Sequence, residues 1–392
     1  MTETKESLPP ELTVTMAGLR EPWSSLDGDR EGEHREARDL FVRFMSDLLQ
    51  SPDLTVLAGL GTSLCIPGAP TMADLWKQVA NLRDFEEVCS EVGVSPTENG
   101  DVELLLSLCE MFAAIKPAAK SAAFKLEAEH AIFDRCRFVE AGAPLPIHQD
   151  FLRRVARRST RLHRTQLFTT NYDLAFEVAA ASLGYLLIDG FSYTTPRTFD
   201  AAYFDYDFVR RTVGATGPEF VPEVFVLHKL HGSVNWDGSG RRISQVDEPD
   251  KPVLIFPRQS KYELSYELPF LESMGRFQAT LRQPNVGVLI VGFGLRDKHL
   301  VEPIMGCLRA NPTARIAIVN VAARSSSTDA FTTVRKLAER GDPRLAVVNG
   351  SFEAVTSLLP DLAQRSEAER QEQLVRELLA ERTAARTDEG DG

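Results

Sequence analysis

Short, nearly unbroken apolar runs alternate along this chain with stretches whose apolar residues recur at helical spacing. The runs LTVLAG (from Leu54), QLFTT (from Gln166), YLLID (from Tyr185) and VFVLHKLHGSVNW (from Val224) read as buried strands. So do GVLIVGFG (from Gly287), ARIAIVN (from Ala314) and RLAVVN (from Arg344), and PVLIF at 252–256 reads as a further strand. Leu40, Phe41, Phe44, Met45 and Leu48 mark a helix beginning near Glu36, and LAFEVAAASLGY is helical in pattern after Asp173, which is placed as its N-cap. Continuous apolar strands alternating with helices predict an α/β fold: a Rossmann-like, doubly wound parallel sheet covered on both faces.

From about residue 73 to 160 the alternation stops and the pattern is helical. Leu104, Leu105, Leu108 and Phe112 mark one helix, and Phe124, Leu126, Ile132 and Phe133 another. Pro144–Pro146 precede a third that carries Phe151, Leu152 and Val155. The expected organisation is a flexible N-terminal segment at 1–33 and a Rossmann-like domain built from 34–72 and 161–365. A helical module is inserted at 73–160, and a charged C-terminal helix and tail occupy 366–392, with Leu374, Leu378 and Leu379 on that helix.

Composition narrows the classes. Hydrophobic residues are 43% and charged residues 26% of the 392, as in an ordinary soluble globular protein. A net charge of −12 argues against the whole surface being a nucleic-acid platform. The six arginines of RRVARRSTRLHR (153–164) could still form a local basic face, or only a solvated one. Cys65, Cys89, Cys109, Cys136 and Cys307 stand far apart with no CxxC pair, which predicts reduced thiols and no zinc ribbon. No apolar run approaches a membrane span and the start, MTETKESLPPELT, lacks a signal-peptide core, so the cytoplasm is the expected location.

Three of the predicted strands end in residues able to do chemistry. In Gly59–Leu60–Gly61–Thr62–Ser63 the paired glycines could let the backbone approach a phosphate, or serve an ordinary strand-to-helix turn. In TTNYD the amide of Asn171 could orient a water or a ribose hydroxyl, or cap a turn, and Asp173 could likewise be a cap. His231 ends an apolar strand just before Gly232, where it could act as a general base near neutral pH or be a satisfied structural histidine. His228, within the strand, fits the structural role better. Parallel sheets bind ligands at the carboxyl ends of their strands, so three polar ends predict one site.

Taken in order, GxGxS, TTNYD, HGSxxW and a strand ending GFG resemble the sirtuin family. More specifically, the chain is similar to the zinc-free, sirtuin-like NAD-cleaving proteins of bacterial antiphage defence, over residues 54–70 and 165–352. The resemblance implies that Gly59, Gly61 and Ser63 form the phosphate-contacting loop and that Gly68 and Pro70 belong to the Gly-x-Pro after it. It implies that Asn171 lies near the nicotinamide ribose, that Asp173 recognises the nicotinamide carboxamide, and that His231 is the catalytic histidine. Gly292 and Gly294 match the turn that receives the distal part of the dinucleotide, and Asn320 a residue near the adenosine ribose. The chain also departs from the family. Leu60 stands in place of an alanine, and four residues rather than three separate Ser63 from Gly68. Thr71 and Met72 stand where deacylating sirtuins carry Phe-Arg, and no four-cysteine module lies between His231 and Gly292.

The activity implied is hydrolysis of NAD, as substrate, to nicotinamide and ADP-ribose in an abortive-infection defence, with Asn171 and His231 catalytic and no metal required. Protein deacylation, ADP-ribosyl transfer, or NAD and ADP-ribose sensing without turnover are the alternatives. The chain carries no GxxxxGK[ST] loop. Its resemblance to defence subunits paired with HerA-type hexameric ATPases implies a homo-oligomer joined by such an ATPase, with no membrane attachment.

Overall fold

In the computed structural model, residues 12–362 are described apart from 20–22, 25–32, 98–99, 118, 212–216, 218 and 257–267. Chain order begins β1 (Thr13–Met16), β2 (Trp23–Ser24), α1 (Glu33–Leu49) and β3 (Leu54–Ala58). The helices α2 (Met72–Ala80), α3 (Phe85–Val92), α4 (Val102–Ile115), α5 (Lys120–Arg135) and α6 (Pro146–Val155) come next. Then come β4 (Thr165–Thr169), α7 (Ala175–Leu183), β5 (Leu186–Ile188), a hairpin of β6 (Val209–Arg210) and β7 (Glu219–Phe220), and β8 (Val224–Lys229). After β8 stand β9 (Gly232–Asp237), β10 (Ser244–Gln245), β11 (Pro252–Leu254), α8 (Phe270–Leu281), β12 (Gly287–Val291) and α9 (Lys298–Ala310). The last elements are β13 (Arg315–Val319), α10 (Asp329–Glu339), β14 (Leu345–Asn349) and α11 (Phe352–Leu358). Contacts divide the chain into a unit ending at Pro360 and a second, 361–392, in which the expected C-terminal helix lies outside the described residues.

Among the described residues the central sheet has nine strands, in the order β2-β1-β14-β13-β12-β3-β4-β8-β5. All neighbours from β14 to β5 are parallel. The chain leaves β3 for β4 and β8 on one side and later returns through β12 to the other, so the topological switch point lies between β3 and β12. This is the expected Rossmann-like α/β architecture. Its strands are apolar on both faces because both faces are covered. Leu57, Phe168, Val288, Ile290 and Ile318 pack with Phe277 of α8, Leu300 and Ile304 of α9, and Phe331 of α10. On further elements, α1 contacts β12 and β13, while α6, α7 and α11 meet through Phe151, Phe176 and Phe352. Each such fully buried side chain contributes roughly 1.5–3 kcal/mol relative to exposure.

Several details depart from the sequence pattern. VFVLHKLHGSVNW is not one strand: the chain turns at Gly232, which takes φ +87, and continues as β9 in a separate antiparallel sheet of order β10-β9-β11. PVLIF supplies β11 of that small sheet rather than a strand of the parallel one. Within the N-terminal stretch expected to be loose, Thr13–Met16 pair antiparallel with β14, and Leu12 and Val14 are buried against it. In the helical stretch Leu126 points outward, 66% exposed, while Trp76, Phe85, Leu105, Cys109, Phe124 and Ile132 form the shared core of α2–α5. Thr71 starts α2 with a full capping box to Asp74. That core also takes in Val234, Leu254 and, at its margin, Tyr172 and Leu174, so the helices pack directly on the TTNYD loop.

The arginine run is largely neutralised within the fold. Arg153 and Arg154 pair with Asp150, Arg157 with Glu223, and Arg164 in bidentate fashion with Asp207. Arg158 donates to the carbonyls of Ser51 and His163. No helix among the described residues is long and apolar enough to cross a membrane.

Candidate functional site

Register brings the polar strand ends together. Val291 of β12 stands beside Ala58 of β3, Ala58 beside Thr169 of β4, and Thr169 beside Lys229 of β8. Four adjacent strands therefore stop level with one another at the switch point. Each then runs into a glycine or a short stretch bearing a polar side chain: Gly292, Gly59, Thr170–Asn171 and Leu230–His231.

Asn171 is the hub. Its buried amide Nδ2 lies 2.7 Å from Ser63 Oγ and 3.1 Å from both Thr62 Oγ1 and the Gly59 carbonyl, placed to donate to all three. Ser63 Oγ in turn donates to Asp173 Oδ2 at 2.7 Å, and the other carboxylate oxygen accepts from the Ala175 N–H at 3.0 Å. The helix cap of α7 is Leu174, so Asp173 serves an Asx-type turn one residue earlier rather than the N-cap expected from sequence. Ser63, Asn171 and Asp173 are each less than a tenth exposed. Buried polar groups held this closely fix one another's geometry.

The glycines of the first loop bring its backbone against the loop that follows β12. A Cβ on Gly61 would lie 2.6 Å from Gly292 Cα, and one on Gly59 would lie 2.7 Å from Phe293 Cα. The two loops thus meet backbone to backbone, with Gly59 N–H donating to Val291 O and Gly61 N–H to Gly292 O. The N–H groups of Thr62 and Ser63 also donate within the turn, to Gly59 O and Leu60 O. A phosphate could take these amides only if the turn opened. Gly61→Ala is accordingly expected to lower stability by about 2–3 kcal/mol through forced separation of the loops. Gly275→Ala, a helical site with nothing within 4 Å of its Cβ, is expected to be neutral or up to ~1 kcal/mol stabilising. Chemical denaturation of both variants checks the contrast; equal midpoints would refute it.

The remaining expected residues are more dispersed. Asn320 donates to the Phe293 carbonyl at 3.1 Å and accepts from Ala322 N–H, which ties the β13 loop to the β12 loop. Gly292 is part of the loop contact, whereas Gly294 is exposed in the turn and Pro70 is buried just before α2. Neither Gly294 nor Pro70 shares a hydrogen bond with the Asn171 cluster among the described residues. Gly68 takes φ +86 and its carbonyl accepts from Arg135 of α5 at 2.7 Å. His231 is 4% exposed, its carbonyl accepts the Ile255 N–H, and its Nε2 lies 3.4 Å from Nε2 of His299. His228 is structural: it stacks on Phe168, lies against Phe204, and pairs through Nε2 with Gln166 Oε1. Burial pushes its pKa down to about 3.

Two contributors were not found from sequence. Lys229, 4% exposed, pairs with Glu177 at 2.8 Å and also donates to the carbonyls of Tyr172 and Asp173, holding the loop that carries Asn171. A lysine inside an apolar strand was the available signal. His299, in the first turn of α9, reaches His231 only through tertiary folding, so no sequence spacing relates them. A cleft of about 1150 Å³ between α8 and α9 has His299 in its lining and includes none of the Asn171 cluster. The five cysteines are free; burial pushes the thiols of Cys65, Cys109 and Cys136 up to about 12 and that of Cys307 to about 11, which makes them poor nucleophiles. Among the described residues no group of three or more His, Cys, Asp or Glu side chains is disposed to hold a metal ion.

Comparison with known proteins returns no match among curated proteins. Against protein families, residues 165–341 match the SIR2-like domain, a span that runs from β4 past the end of α10 and contains Asn171, Asp173, His231, Gly292, Gly294 and Asn320. The Gly59–Ser63 loop lies outside it and joins it through Asn171. Over that span, on a Rossmann-like sheet with its polar strand ends at the switch point, the chain is similar to the SIR2-like domain.

Proposed function

We propose that the chain is an NAD glycohydrolase that releases nicotinamide and ADP-ribose. The observation that carries this reading is the placement of Asn171 and His231 at the ends of neighbouring strands, with Asp173 bound to the Asn171 cluster through Ser63. SIR2-like domains bind NAD, and the donor and acceptor set suits it in kind: a carboxylate for the carboxamide, an amide for a ribose hydroxyl, an imidazole for a proton. The nicotinamide is already cationic in NAD and leaves as a neutral base, so the site needs no acid to protonate it. Asn171 positions the attacking water or a ribose hydroxyl, and His231 takes the proton that it loses. Lys229 keeps the TTNYD loop in place while this happens.

An unrestrained activity of this kind would deplete the cell's own NAD. The competent state is therefore sparsely populated until a partner favours it. We take the role to be antiphage defence, with the chain as a homo-oligomer in the cytoplasm joined by a HerA-type ATPase. The helices α2–α5 supply one route of control, since they pack on Tyr172 and Leu174 beside the site. The test is nicotinamide release from NAD by the purified chain, alone and with its ATPase, together with mass photometry of both. Turnover that rises on assembly and survives exhaustive metal chelation is expected. A monomer with full turnover would defeat the regulatory part; acyl-ADP-ribose or ADP-ribosylated protein as the product would replace hydrolysis by deacylation or transfer.

A further inference from the structure

His231 and His299 come from different parts of the chain and meet side chain to side chain. Their Nε2 atoms are 3.4 Å apart, with ring centroids 5.6 Å apart and planes inclined at 41°. His231 is fixed by β8, by the turn at Gly232 and by the Ile255 N–H bond to its carbonyl. His299 is fixed by the turn between β12 and α9. In that turn Leu295 adopts φ 49, an uncommon conformation for a residue with a bulky side chain, and is held there in the core below α9, only 3% exposed. Strain of this kind persists where the surroundings demand one geometry, and here that geometry aims the first turn of α9 at His231.

Two imidazoles in Nε2-to-Nε2 contact can hold one proton between them, and a second is resisted by like charge. The two rings differ in access. His231 is almost fully buried, whereas His299 is half-buried and lines the cleft between α8 and α9 together with Lys298, Glu302 and Arg282. The contact therefore joins a buried base to a solvent-reaching one.

We propose that His299 is the proton outlet of His231, a positioning residue that accepts, through the Nε2 contact, the proton gained in the reaction and releases it into the α8–α9 cleft. This rests on the hydrolase reading. In each turnover an O–H bond of water breaks and a C–O bond forms at the ribose carbon, while the carbon–nitrogen bond breaks with its electron pair going to nicotinamide. One proton is left over, and it passes from water to His231, then to His299, then to solvent. A neutral His231 imidazole is thus ready for the next substrate without opening the buried side of the site.

The test uses the full chain, assembled as it is when the wild type is active, with nicotinamide release as the readout. His299→Gln preserves a hydrogen-bonding side chain of similar reach but cannot carry a proton through. Both His299→Gln and His299→Ala are expected to lower kcat by roughly 10- to 100-fold with KM within about twofold of wild type. Added imidazole is expected to restore His299→Ala at least about fivefold through the open cleft, and to leave His299→Phe, whose ring fills the space, unrestored. A role in packing alone would give loss without rescue, and a role in orienting His231 alone would leave the Gln variant active; either result overturns the proposal. So does a kcat within threefold of wild type in folded His299→Ala. A rise in kcat would show instead that His299 blocks the site. Failure of the wild type itself to release nicotinamide under any assembly would remove the hydrolase reading and this outlet with it, a result distinct from all of these.

Discussion

His231→Ala and Asn171→Ala are each expected to reduce nicotinamide release by about 10² to 10⁴-fold, the usual contribution of a positioned base. The two should differ in their effect on stability. The pairing of the His231 loop is main-chain, Leu230 N–H to Thr169 O and Ile255 N–H to His231 O, and truncation of the ring leaves those bonds in place. Asn171 is bonded to several groups of the first loop at once, through Gly59 O, Thr62 Oγ1 and Ser63 Oγ. Removing that amide leaves buried groups short of a donor, at about 1–3 kcal/mol. Steady-state kinetics alongside thermal melts of both variants would separate the effects. Turnover close to wild type in either folded variant ends the role given to that residue.

Acidification is expected to destabilise the fold steeply between pH 7 and 5. Burial holds His228 down to about 3 and His148 down to about 4, the latter against the opposing pull of Asp173 and Glu353. Both are neutral in the folded protein, whereas in the unfolded chain an ordinary imidazole takes up a proton below about 6.5. The unfolded state then binds more protons, so stability is fully present above that value and lost as pH falls towards the folded-state values. At about 1.4 kcal/mol per pH unit, each histidine removes roughly 2 kcal/mol by pH 5, or about 4 kcal/mol together. His228→Gln is expected to be less stable at pH 7 but to show about half the wild-type slope. Denaturant midpoints across that range would decide it, and an unchanged slope in the variant would falsify the assignment to His228.

The architecture was legible because strands covered on both faces are predominantly apolar, without a polar face. LTVLAG, QLFTT, GVLIVGFG, ARIAIVN and RLAVVN show this directly, and each became a strand of the parallel sheet. Where the chain left that sheet the pattern carried less. The apolar run from Val224 passes through the turn at Gly232 without a change in composition, because β9 is buried against the helical core and against Phe191 and Phe199 as thoroughly as β8 is in the sheet. Composition is blind to a break of that kind. Likewise Thr13–Met16 lie in a polar, proline-bearing stretch, and only the open edge of β14 recruits them.

At the site, the residue types and the end-of-strand positions of Ser63, Asn171, Asp173 and His231 belonged to the sequence alone. Their chemistry is local, and a polar residue that closes an apolar run must sit at a strand end. Which of them touch was decided by register: Ala58 beside Thr169 beside Lys229 sets the loops level, and the Asn171 hydrogen bonds result from it. The use of Gly59 and Gly61 for loop-to-loop contact with Gly292, the hold of Lys229 on the TTNYD backbone, and the meeting of His231 with His299 exist only in three dimensions. Periodicity reports which side of an element is buried; it carries no information on the partner that a side chain meets across tens of residues, and that partner is what the packed sheet selects.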